Sequence, residues 1–173
     1  MFEGWGEFYL LAGSAAAVLI GLIFVVVTLM QDRPRSTVMA GSRLYMGPVV
    51  LHVTFVLILS AAALVPGITP RQFAVVAAAI SVWGLVRGVN SLVGIRRVPG
   101  PDKPHWSDSW CYGAIPVALS LALAVVAWSF WVASTQAVYA VAVVITGFLL
   151  ITIRNEWDLV TWLAPRRESR DSE

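Results

Sequence analysis

Arg87 stands in the middle of SVWGLVRGVNSL, residues 81–92, a stretch that otherwise reads as the interior of a membrane helix. A guanidinium does not lose its proton in a protein. The charge therefore needs a partner or a route to water, because an unpaired one at that depth costs at least ~2.5 kcal/mol. The chain offers several groups that could answer it. Asn90 follows one turn later, and His52 interrupts a second apolar run. A third run ends in RNEWDLVTWLAP, which brings Arg154, Asn155, Glu156 and Asp158.

These residue types allow two kinds of chemistry. Carboxylates and guanidinium groups pair, and an Arg–acid pair either fixes helix order or lines an ion path. An imidazole titrates near neutrality, so His52 suits proton relay or pH sensing. It equally suits a plain hydrogen bond to a neighbouring carbonyl or tyrosine. The expected arrangement joins Arg87 to Asp158 or Glu156 across two helices, with Arg154 reaching for the headgroups. Arg154 and Asp158 are also i,i+4 and can satisfy each other.

Other candidates carry less. His105 sits beside Asp102 and Asp108 without the spacing of an HExxH metal site. Ser107, Ser109 and Cys111 lack a catalytic partner pattern, and RRVPGPDK lacks the Lys-Ser/Thr ending of a phosphate loop. Glu3 and Glu7 could gather cations, but they also suit the positive end of the first helix. Neither a cofactor nor a metal is expected, and nothing supports enzyme chemistry. With Cys111 as the single cysteine, no intramolecular disulfide forms.

The elements that must position these residues follow from composition. Hydrophobic residues make up 58% of the 173-residue chain and charged ones 13%, against about 25% charged in soluble domains. A soluble chain of this length cannot hide so much apolar surface, so lipid is the solvent. The net charge of +2 is scattered between apolar runs rather than gathered in a stripe, which argues against nucleic acid. The acidic N-terminus, MFEGWGEFYLL, does not read as a signal peptide and is taken as retained.

A bilayer core takes roughly 20 helical residues. Five runs approach that length: 8–30, 44–65, 73–95, 110–132 and 137–162. The last is purely apolar to Ile153, and an alternative ends it there with an amphipathic surface helix beyond. The expected fold is an all-α integral membrane protein, a single five-helix transmembrane bundle over residues 1–164 with a polar tail, 165–173.

Lys and Arg orient it. Arg33, Arg35 and Arg43 fill the first connection, Arg96, Arg97 and Lys103 the third, and Arg166, Arg167 and Arg170 the tail. Arg71 stands alone in the second. The cytoplasmic side keeps the cations, which puts the N-terminus outside and the C-terminus in the cytoplasm, in a bacterial inner (plasma) membrane. Trp5, Tyr9, Tyr45, Trp106, Trp110, Tyr112, Trp128, Trp131, Trp157 and Trp162 fall at run ends and read as interfacial belts.

Small residues at helical spacing mark contact faces between membrane helices. Gly13, Ala17 and Gly21 form one stripe, and Gly84 and Gly88 another. Such stripes serve contacts within a chain or between copies, so a homo-oligomer or a membrane-protein partner is expected alongside the bilayer itself.

Depth then gathers the polar residues. Arg87, His52 and Arg154 each lie eight residues from the cytoplasmic end of their runs, about 12 Å at 1.5 Å per residue. His52, Arg87, Asn90, Arg154, Glu156 and Asp158 are expected to form one polar layer. The outer halves offer only Ser14, Ser60, Ser81, Ser129 and Thr146, so a single chain has no continuous hydrophilic path. Pro48, one turn before His52, is expected to kink the second helix. Two functions remain open. One is an oligomeric channel or carrier for protons or other small ions, and the other a non-conducting scaffold or regulatory subunit.

Overall fold

A computed structural model describes residues 1–29, 46–96 and 109–163. The basic connections and tail, with Tyr45, Asp102, Lys103, His105 and Trp106, lie outside the described residues. Five helices account for most of the described chain: α1 (Gly6–Leu29), α2 (Gly47–Ala63), α3 (Pro70–Arg96), α4 (Ile115–Trp131) and α5 (Ala137–Leu163). A π turn, Trp110–Ala114, leads into α4. Among the described residues there is no strand.

Four helices are long and apolar enough to cross a membrane: α1, α3, α4 with its π turn, and α5. The fifth, α2, is apolar but spans only 17 described residues, about 25 Å. Its described part is thus shorter than the run expected over 44–65. The C-terminal helix runs without a break through Ile153 to Leu163, so no separate surface helix forms there.

Neighbours in sequence pack as neighbours in space. α2, α3, α4 and α5 close a ring, and α1 lies against α2 and α5. We call the end that carries Gly47, Arg96, Trp110 and Leu163 the lower end. α2 sits innermost, with Val49, Val53, Phe55, Val56 and Leu59 all buried.

Local chemistry sets the upper turns. Thr69 and Gln72 form a reciprocal cap on α3: the Thr69 N–H donates to Gln72 Oε1 at 2.9 Å, and the Gln72 N–H to Thr69 Oγ1 at 3.3 Å. Pro70 follows at the first helical position, where no N–H is needed. At the N-terminus, Gly4 takes φ +79° and the Trp5 N–H closes a turn on the Phe2 carbonyl at 3.0 Å. That turn folds Phe2 back into the bundle. Its ring meets Tyr9, Phe73 and Phe130 at centroid distances of 5.0, 4.9 and 5.7 Å. Tyr9 is therefore fully buried rather than interfacial. Trp110, Trp128, Trp131 and Trp157 do face outward, as the belts require.

The small-residue stripes divide. On α3, a Cβ at Gly84 would strike the Ser120 hydroxyl and approach Phe55 to 3.1 Å, and one at Gly88 would lie 2.8 Å from Val117. This stripe lets α3 and α4 touch within the chain. On α1, only Gly13 does so, its Cβ position being 3.3 Å from Ser60 Cβ. Ala17 and Gly21 are exposed, and nothing lies within 4 Å of Gly21. The buried face of α1 is instead Tyr9, Ala12, Ala16, Ile23 and Val26. Gly113 against Leu92 and Gly147 against Leu119 are further close approaches that stripe spacing does not mark.

Candidate functional site: a polar cleft at the lower end

The residues expected in one polar layer separate into groups. Arg87 and Arg154 each lie nine residues from the lower end of their helices, and His52 five from the start of α2. Side-chain direction then divides them, since each helix presents its residues at its own angle.

His52, Arg87 and Asn90 come together. They line a half-open cleft between α2, α3 and the start of α4, with room of about 170 Å³. Pro48, Leu51, Gly88, Ser91, Tyr112 and Pro116 complete its wall. Arg87 and Asn90 are exposed, on the flank of α3 beside Gly84 and Gly88. A Cβ on Gly47 would sit in ordinary van der Waals contact with Arg87 Nη2, at 3.7 Å. His52 is 3% exposed and ends the cleft, its Nδ1 unpartnered among the described residues. Behind it stand Phe148 and Phe55, with ring centroids 5.5 and 6.3 Å from the imidazole.

The π turn makes one wall, and its origin is local. Pro116 has no N–H to give to the carbonyls of the preceding turn. The Ile115 N–H bonds back five residues, to the Trp110 carbonyl. The Cys111 and Tyr112 carbonyls lie within this turn. Side chains from other helices donate to them. Ser91 Oγ donates to the Tyr112 carbonyl at 3.0 Å, and Asn155 Nδ2 to the Cys111 carbonyl at 3.2 Å. The Tyr112 hydroxyl returns a bond to the Asn155 carbonyl at 3.2 Å. Tyr112 is 2% exposed, a buried link between α4 and α5 and not the interface anchor its position suggested. Pro48 lies in the first turn of the described α2, and the residue it would otherwise bond back to lies outside the described residues.

Arg154 and Asp158 form the ion pair of α5, Nη1 to Oδ2 at 2.9 Å, with each side chain more than a third exposed. Arg154 Nη1 also donates to Asn155 Oδ1 at 3.1 Å. Asp158 is therefore engaged on its own helix and does not pair with Arg87. Nor does Glu156, which is 8% exposed with Oε1 unpartnered among the described residues. Thr152, one turn earlier on the same face of α5, is likewise buried and unpartnered.

Above the cleft the interior is mostly apolar, with Ser60, Ser81 and Ser120 buried in it. Val53, Phe55, Val56 and Leu59 are buried on α2, as are Val141, Ile145 and Phe148 on α5. Ser129 and Thr146 bond their own helices, and Ser81 donates to the Ser120 carbonyl at 2.8 Å.

Ser91 and Pro116 enter the site without having been singled out from sequence, whereas Asn155 was noted beside Arg154 and Tyr112 as an interfacial residue. The one signal for the first two was Pro116 itself: a proline inside an apolar run frees carbonyls, and freed carbonyls in lipid need donors. Among the described residues, no group of three or more His, Cys, Asp or Glu side chains could hold a metal ion. Compared with protein-family models, curated proteins and solved structures, the chain matches none.

Proposed function

We propose that the protein is a small-ion permeation protein of a bacterial inner membrane, a channel or carrier that works as a homo-oligomer. The N-terminus faces outward and the lower end faces the cytoplasm, following the distribution of Lys and Arg. One observation carries the reading. Arg87, an obligatory charge without an acidic partner among the described residues, lines a cleft that ends on a buried histidine. A helix clip needs a paired charge and has no use for a cleft.

In this reading the cleft is the cytoplasmic vestibule. Its end at His52, Phe55 and Phe148 is the constriction. Passage beyond it requires those rings to part, or a second copy to supply the outer half of the path.

The test is flux through purified protein in liposomes, read by an internal pH-sensitive dye under imposed ion gradients. Native protein is compared with His52→Ala and Arg87→Ala, each first checked for fold and oligomer size. Flux that native protein shows and the folded variants lose supports the reading. A stable oligomer with no flux at any pH or voltage removes it.

One observation favours the second reading, a scaffold or regulatory subunit. Ala17 and Gly21 present a small-residue face on α1 that no described residue covers. Such a face suits another transmembrane helix.

A further inference from the structure

We infer that the lower cleft binds an oxyanion of the phosphate class, with Arg87 as its charge partner. The inference rests on reading the cleft as an ion's entry and names the ion. Among the described residues, none that line the cleft is acidic. The ion pair on α5 is internally neutralised, and Arg87 is the one guanidinium or ammonium group among the described lining residues. A guanidinium presents a planar fork that matches phosphate oxygens bidentately.

The remaining groups suit the same guest. The Asn90 amide adds two donors beside the guanidinium, and His52, almost fully buried, closes the inner end. The Ser91 hydroxyl already gives its proton to the Tyr112 carbonyl. The room suits a single small group: about 170 Å³ is below the ~300 Å³ at which cofactor and drug-sized pockets begin. A phosphate group fits, either as the free ion or as the phosphodiester of a lipid headgroup entering from the lower leaflet.

The test uses the purified full chain in a phosphate-free maltoside detergent. Inorganic phosphate and short-chain phosphatidylglycerol are titrated separately, with binding read by calorimetry. Native protein is compared with Arg87→Gln, Arg87→Lys and Arg71→Gln. Arg71 is the control because it lies over the Trp131 ring at the opposite end, 5.9 Å from the centroid.

Arg87→Gln should lose at least about tenfold in affinity, a change of one decade in Kd. Arg87→Lys should fall between it and native protein, and Arg71→Gln should match native. Whichever probe binds more tightly identifies the source of the phosphate. Equal binding by native and Arg87→Gln protein, or none of either probe up to about 10 mM, overturns the inference. Should Arg87→Gln not fold, Asn90→Ala replaces it, with a several-fold loss expected and native affinity contradictory. Flux without phosphate binding keeps the permeation reading and overturns this one. Binding without flux does the reverse.

Discussion

Tyr112 and Asn155 clasp each other across α4 and α5. The tyrosine hydroxyl donates to the asparagine carbonyl at 3.2 Å, while the asparagine amide donates at 3.2 Å to the carbonyl of Cys111, next to the tyrosine. The clasp is built on the π turn that leads into Pro116 and α4. It fixes the wall of the cleft that Arg87 lines.

Removing the clasp should therefore cost more than an average hydrogen bond. Interhelical side-chain bonds in membrane proteins average about 0.6 kcal/mol and reach about 1.7. Asn155→Ala should lose about 1–2 kcal/mol, because it leaves a buried carbonyl without its side-chain donor. Tyr112→Phe should lose about 0.6 kcal/mol. Reversible unfolding in mixed micelles measures both, and an Asn155→Ala variant as stable as native protein contradicts the role.

Ser91 and Pro116 should be coupled. Pro116→Ala restores a backbone N–H that can serve the carbonyls now bonded by side chains. Ser91→Ala should destabilise the native background by about 0.6 kcal/mol and the Pro116→Ala background by less. A double-mutant cycle with no coupling would show that the two carbonyls are satisfied independently.

The two small-residue stripes should respond oppositely to added bulk. Gly84→Ala places a Cβ against the Ser120 hydroxyl and Phe55, and overpacking of this kind costs about 1–3 kcal/mol. Gly21→Leu meets open space and should leave monomer stability unchanged while weakening any oligomer built on that face. Unfolding and light scattering on the same samples separate the two effects.

Asp158→Asn should be nearly silent. The Arg154–Asp158 pair is substantially exposed, and such pairs contribute about 0–1 kcal/mol. A severe loss of stability would mean that Asp158 also answers Arg87, the pairing that the sequence suggested.

That suggestion shows where sequence reading reaches and where it stops. Distance along a helix was legible, because 1.5 Å per residue fixes how far Arg87 and Arg154 stand from the ends of their own helices. Direction was not. Asp158 meets Arg154 through the fixed i,i+4 geometry of one helix, whereas meeting Arg87 depends on how α3 and α5 rotate about their axes. The same gap explains Tyr9 and Tyr112, placed at run ends by position and turned inward by packing. It also explains why Gly84 and Gly88 face α4 while Ala17 and Gly21 face out, since spacing alone reads the two stripes alike. Phe2 was hidden for a different reason. Its burial depends on a turn through Gly4 that brings a residue before the first helix back into the bundle.

The account stands on the cleft being open to water, and single-cysteine labelling tests that most directly. In a Cys111→Ser background, Asn90→Cys in the cleft is compared with Val82→Cys, 62% exposed on the outward face of α3. Both are challenged in oriented vesicles with a small anionic, membrane-impermeant thiol reagent. The account predicts that Asn90→Cys reacts from the cytoplasmic side only, at least about tenfold faster than Val82→Cys, and more slowly once Arg87 is replaced by Gln, as expected if that charge draws the reagent in. Equal, slow reaction at both positions would mean that the cleft is closed to water and that Arg87 serves no ion.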